Sequence, residues 1–364
     1  MLRSRVILLS ILASLAVLGA CRREPALPPV NNDPAAGVVF DPAQVPYPVL
    51  SAYAFFTGPL ASLQPNSGVL PYTVIDALFS DYAKKERHVW MPPGVRATWE
   101  GEADVLGFSD GTVLLKTFYY DDVLPANSRR IVETRLMYRL DGEWHFANYV
   151  WNAQQTEALL DMSGSVTAID WVDEGGITRH VDYRIPAEPE CRACHKAHGE
   201  FIPIGPKPRN LATTYPYADG EAQQLPRWVQ TGYLDPAHPA VTSPLPRWDD
   251  PAVDLTERVR AYLEINCAHC HSASGYCNFR PMRFAWEETT EPENLGICVT
   301  PHDPIEPWLS HIISRGRPDR SMVSHRMTST AVEVRMPILG RTLQHEEGVA
   351  LIDAWIDSLE PTCP

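Results

Sequence analysis

Two copies of one five-residue pattern constrain this chain more than any other feature: Cys191-Arg192-Ala193-Cys194-His195 and Cys267-Ala268-His269-Cys270-His271. Cys-x-x-Cys-His is the attachment pattern of c-type haem. Each thiol adds across a vinyl group to give a thioether, and the adjoining imidazole takes the iron from one side. Both sulfurs and the ring must reach one porphyrin from a single turn of backbone, which fixes the spacing. With 8 Cys and 12 His in 364 residues, chance gives one such pattern in roughly half a per cent of chains of this composition. Two copies arise by chance far more rarely. A zinc site or a thioredoxin-like redox pair is the competing use of these cysteines. The expected cofactors are two covalently bound haem c. Cys191, Cys194, Cys267 and Cys270 are the attachment sites, and His195 and His271 are the iron ligands.

The N-terminus places this chemistry outside the cytoplasm. Arg3 and Arg5 precede an apolar run from Val6 to Leu18, which reads as a signal peptide over residues 1–20. The run ends Leu18-Gly19-Ala20-Cys21, similar to the bacterial lipobox, so Cys21 is the expected lipidation site. Arg22 follows where an Asp would favour the inner membrane, so an outer-membrane lipoprotein facing the periplasm is expected, held to the bilayer by lipid alone. The formal charge is −14 and grows more negative once Arg3 and Arg5 are removed. An acidic surface argues against nucleic acid and suits steering toward basic redox proteins of the periplasm.

The organisation follows from composition and period. Residues 21–48 are proline-rich and read as a tether. Residues 49–200 form a β-rich unit carrying the first motif. Thr112–Tyr120 is rich in β-branched and aromatic residues. Ile131–Leu140 alternates as a half-buried strand, and Asp141-Gly142 then turns the chain into Glu143–Trp151. Val166–Val172 and Ile177–Ile185 flank a second turn. Val49–Arg96 has no clean period and is expected to cover a sheet edge. The first motif is expected to follow the sheet without an introducing helix. Residues 201–250 read as a proline-rich connection. In 251–364, Asp254 caps a helix to Asn266 whose face is Leu255, Val259, Tyr262 and Leu263. A last helix spans Gln344–Leu359, where Gly348 allows close approach to the first.

A helix ending in the motif, then a methionine loop, then a packed C-terminal helix resembles a class I cytochrome c domain. That resemblance implies a methionine as the second iron ligand. Met336 is the first choice, with Met322 and Met327 behind it. The expected fold class is therefore α+β: an antiparallel β-rich N-terminal domain followed by an all-α class I cytochrome c domain. More widely, the chain resembles a family of bacterial dihaem c-type cytochromes. The resemblance rests on GVLPYTVIDALFSDYAKKERHVWMPPG, GTVLLKTFYY, YVWNAQQTEALL, PECRACH, RAYLEINCAHCHSASGYCNFRP and RMPILGRTLQHEEGVALIDAWI. It covers most of the chain from about Phe55 and implies two haems and a redox role. The β-rich part also resembles small c-haem sheet proteins, some of which oxidise hydroxylamine with a lysine cross-linked to an open haem. Lys116 is the corresponding lysine to inspect, and is expected to be an ordinary solvent-facing strand residue. The sixth ligand of the first haem stays open among His180, His145, Met162, Met282 and none.

Three cysteines remain: Cys277, Cys298 and Cys363. In an oxidising compartment a Cys277–Cys298 disulfide is expected to staple the loop between them, with Cys363 as a competing partner for either. The expected function is electron transfer between periplasmic redox partners. The alternatives are an enzyme whose open first haem acts on a small nitrogen or oxygen species or peroxide, and a cytochrome subunit of an exported dehydrogenase complex.

Overall fold

The computed structural model describes residues 37–364. The expected signal peptide and the lipidation site Cys21 lie outside the described residues. An eight-stranded antiparallel sheet organises the first half of the chain. Its strands are β1 (Leu70–Tyr72), β2 (Lys84–Trp90), β3 (Val113–Val123), β4 (Ser128–Leu140), β5 (Glu143–Trp151), β6 (Ala158–Leu160), β7 (Ser165–Val172) and β8 (Thr178–Ile185). The main path runs β8-β7-β3-β4-β5-β6, and β2 pairs with both β3 and β1. Asp141 and Gly142 take left-handed φ values of 51° and 78° between β4 and β5, the two-residue turn whose twist matches the flanking strands. Val49–Arg96 does not merely cover an edge, because it supplies β1 and β2.

Each sheet face has its own cover. One presents Trp90, Leu115, Leu136, Tyr138, Ala147 and Tyr149 to the N-terminal segment, including Tyr53, Phe55 and Leu63. Val38, Phe40, Val45 and Tyr47 join this cluster. The described end of the expected 21–48 tether is therefore core. The other face presents Val89, Leu114 and Met137 to Leu211, Tyr217, Leu225, Trp228 and Leu234. The expected connection over 201–250 thus roofs the sheet. It contains α2 (Pro208–Leu211), a short hairpin and α3 (Gln224–Gln230), and Trp228 is fully buried. Its prolines break regular structure without preventing apolar side chains from docking.

The first motif is not bare of helix. Glu188–His195 forms α1, which contains it. Pro186 precedes the helix, and Glu190 accepts a hydrogen bond from Ala187 N at 2.9 Å, so the turn starts just after β8 ends.

The C-terminal part corrects the expected fold class: it is not an all-α class I cytochrome c domain. Between α4 (Leu255–Asn266) and α5 (Met322–Thr328) the described chain holds no α-helix, and only α6 (Glu346–Ser358) follows. Pro281, Pro292, Pro301, Pro304 and Pro307 interrupt this stretch. Its backbone groups are satisfied by turns and by isolated bridges such as Ile297 with Ile313. The two expected helices exist, and Tyr262, Leu263, Ile352, Trp355 and Ile356 share one apolar cluster. The lobe is hydrogen-bonded to the segment that leads into β2. Asp81 accepts from the backbone N–H groups of Thr342 and Leu343, each at 2.7 Å, and Asn266 Oδ1 accepts from Phe79 N at 2.8 Å. The expected Cys277–Cys298 disulfide is also corrected. Cys298 is bonded to Cys363, with Cα atoms 5.4 Å apart, and Cys277 is a free thiol. The chain end is not frayed as its position suggests. Gly316 N donates to Ile356 O at 2.8 Å and Cys298 N to Ile313 O at 2.9 Å, which brings both cysteines to the same strip of backbone.

Candidate functional site

The second motif grows from the end of α4. Asp254 caps the helix, its carboxylate accepting from Thr256 N at 2.9 Å and Glu257 N at 3.3 Å. After Asn266, Cys270 N and His271 N both donate to Cys267 O, at 3.1 and 2.9 Å. One tight turn therefore projects both sulfurs and the imidazole. They line a cleft with Tyr262, Phe284, Ile312, Met322, Met327 and Met336. Sequence reasoning ordered those three methionines; the fold brings all three to the same cleft. The Met336 backbone is clamped: its N–H donates to Arg326 O at 3.0 Å, and its carbonyl accepts from Arg341 Nη2 at 2.8 Å. His271 is buried, with Nδ1 unpartnered among the described residues. Burial pushes its pKa down to about 4, so the ring is neutral, as a metal ligand must be.

The first motif is oriented differently. His195 Nδ1 donates to Ile202 O at 2.8 Å, which fixes the tautomer and leaves the Nε2 lone pair free. The ring lies 5.4 Å from Phe146, and burial again pulls its pKa to about 4. His195 opens onto a cavity of about 780 Å³, within the range of roughly 300–1,000 Å³ usual for small-molecule sites. None of the expected sixth ligands lines it. His180 is exposed and bound to Asp170. His145 stacks on Tyr138, 5.3 Å away. Met162 Sδ accepts from Asn148 N, and Met282 lines the other cleft. Met137 and Lys116 do line it. Strand alternation is the signal that would have found Met137, since it places that residue opposite Leu136. Lys116 is half-buried on the cavity wall rather than facing open solvent, and desolvation there, then the charges of Arg87, Lys85 and Arg135, lowers its pKa well below the ordinary lysine range.

The two motifs meet. Cys194 Sγ, Cys270 Sγ and a ring nitrogen of His269 lie within 4.8 Å of one another. The cleft and the cavity share Cys194 and His269 as common wall. His198 N donates to Ser274 O at 3.2 Å, tying the segments after the motifs together. No family model matches the chain, and no curated protein or solved structure matches it either.

Asp76 stands at the cavity rim, 3% exposed. Desolvation raises its pKa from 3.8 to about 7, opposed by the hydrogen bond from Trp248 N. A carboxyl with a raised folded pKa holds its stabilising proton below the unfolded value and loses it as pH rises. The Asp76 contribution to stability is therefore expected to fall as pH rises from 4 to 8, against the buried His195 and His271, whose lowered pKa values make stability rise over part of that range. Asp76→Asn should remove the Asp76 contribution, so that the variant gains on the parent with rising pH, by up to about 4 kcal/mol at pH 8. Urea midpoints at the two pH values check this; an unchanged slope refutes it.

Proposed function

We propose that this chain is an exported dihaem electron-transfer protein, with one haem c on Cys191, Cys194 and His195 and a second on Cys267, Cys270 and His271. The abutment of Cys194 with Cys270 carries this reading, because it sets two attachment turns side by side. Each haem would supply a one-electron couple. The chain's residues suit such groups: the second motif presents both thiols and a neutral imidazole to a largely apolar cleft, and the first presents Cys194 and the neutral His195 imidazole to a large cavity. His195 is held by Ile202 O so that Nε2 faces away from that bond. Met336, on a clamped backbone, is the proposed second ligand at His271. The proposed partners are periplasmic redox proteins, and Cys21 is the proposed lipid anchor to the outer membrane. The cavity beside His195 favours a second reading, in which the first haem keeps an open face and acts on a small molecule.

The protein purified from a periplasm competent in cytochrome c maturation tests both readings. Its intact mass should exceed the chain by two haem groups that resist acid–acetone, with two irons per chain. Carbon monoxide should leave the reduced spectrum unchanged for a closed carrier and shift it for an open first haem. Stoichiometric zinc without haem would refute both, and would assign Cys194, His269 and Cys270 to one metal ion instead.

A further inference from the structure

The sheet face beneath the first motif carries an unusual row. Register places Arg87 of β2 opposite Lys116 of β3, Lys116 opposite Arg135 of β4, and Arg135 opposite Asn148 of β5. Directly paired residues on neighbouring strands share a face, and like charges so placed repel. Lys85 lies on the adjacent row, opposite Phe118. Four cations thus converge on a surface where apolar clusters lie to either side, around Leu114 and Met137 at one end and Phe118 and Tyr183 at the other.

Their counter-charge is short. Glu133 is fully buried. It accepts from Arg135 Nε at 2.9 Å and from the Tyr183 hydroxyl at 2.7 Å. Among the described residues, Lys85, Arg87 and Lys116 form no ion pair. The acids across the cavity are committed elsewhere: Glu264 to Lys207 at 2.6 Å and Glu287 to Arg209 at 2.5 Å. Asp76, Asp104 and Glu288 line the wall without bridging to the row. Phe118 offers its ring to Lys116 at 4.9 Å and Arg135 at 4.3 Å, and such contacts offset only part of a desolvated charge. The row ends on a buried amide beside Arg135, outside the cavity lining. Asn148 is 2% exposed, and both its amide nitrogen and its amide oxygen lack a hydrogen-bond partner among the described residues.

We propose that Arg87, Lys116 and Arg135 form a binding site for a carboxylate or small oxyanion held in the cavity beside His195. Planar guanidinium groups match such anions in two-point contact, and an ammonium between them adds a point charge. Two sources share this chemistry: a free anion such as nitrite or acetate, or the propionate carboxylates of a haem on the first motif. Only the second source rests on the proposed function, and haem content is measured first, so the two can fail separately.

The test is the thermal midpoint of the full purified protein, in chloride and in nitrite or acetate at equal ionic strength, with titration calorimetry. A free-anion site predicts a saturable rise with nitrite or acetate. Arg87→Gln and Lys116→Gln should each weaken binding at least tenfold, and each should raise the midpoint of the anion-free protein by relieving repulsion. A propionate site predicts no response to added anion. Both glutamine variants should then lower the midpoint of the haem-loaded protein by several degrees, with Arg87→Lys restoring most of the loss. Absence of an anion response together with glutamine variants as stable as the parent overturns the proposal. So does a loss of stability that Arg87→Lys fails to restore, because that marks a packing role.

Discussion

Gly348→Ala is expected to destabilise the protein by about 2–3 kcal/mol, although alanine is favoured over glycine by about 1 kcal/mol inside a helix. Sterics outweigh propensity here because α6 crosses α4 at this residue. A Cβ on residue 348 would fall 2.5 Å from Tyr262 Cζ and 2.6 Å from Cε2. Tyr262 has nowhere to withdraw. It is 3% exposed, its ring packs against Trp248 at 5.5 Å, and its hydroxyl is hydrogen-bonded to His345 Nδ1 at 3.0 Å. Tyr262 also stands just over one turn before Cys267, so a shift of α4 moves the second motif. Urea unfolding of Gly348→Ala, Tyr262→Leu and the pair measures this. Removing the ring should relieve part of the clash, so the double variant should be less destabilised than the two single losses added together. A Gly348→Ala protein as stable as the parent would sink the argument.

How much of this was legible in the sequence depended on whether the signal was local. The Asp141-Gly142 turn, the alternation of Ile131–Leu140, the Asp254 cap and the faces of α4 and α6 are short-range patterns, and each is found where its pattern places it. β2 was hidden because Lys84-Lys85-Glu86-Arg87-His88 lies in a stretch with no clean period. Its charges face a cavity and the neighbouring strands, which no period in that segment encodes. Residues 201–250 read as a connection because proline masks periodicity, while Trp228 and Leu225 find their cover on a sheet formed more than sixty residues earlier, counted roughly. The motif order implied an all-α domain. The chain between α4 and α5 instead satisfies its backbone through turns that only tertiary contacts can hold. Each motif was plain by itself; that Cys194 meets Cys270 depends on where α1 leaves the sheet, a three-dimensional fact.

Replacing Cys363 by serine is expected to be among the most costly single changes outside the motifs. The Cys298–Cys363 bond closes a sequence separation of 65 residues, and by chain entropy such a closure contributes about 4 kcal/mol. That loop encloses α5, Met336 and α6, so the bond limits the unfolded freedom of the whole wall facing His271. The native site is already shaped for it: Arg315 N donates toward Cys363 Sγ at 3.4 Å, and α6 delivers the chain end through the Gly316–Ile356 backbone bond. Cys298→Ser and Cys363→Ser should lower the urea midpoint alike, and the double variant should lose little more, because both remove one bond. Cys277→Ser should change it little, since Cys277 is a free thiol. Non-reducing peptide mapping of the parent should show Cys298 linked to Cys363 and Cys277 alkylated without reduction. A linked pair containing Cys277, or a Cys363→Ser protein as stable as the parent, would overturn the assignment.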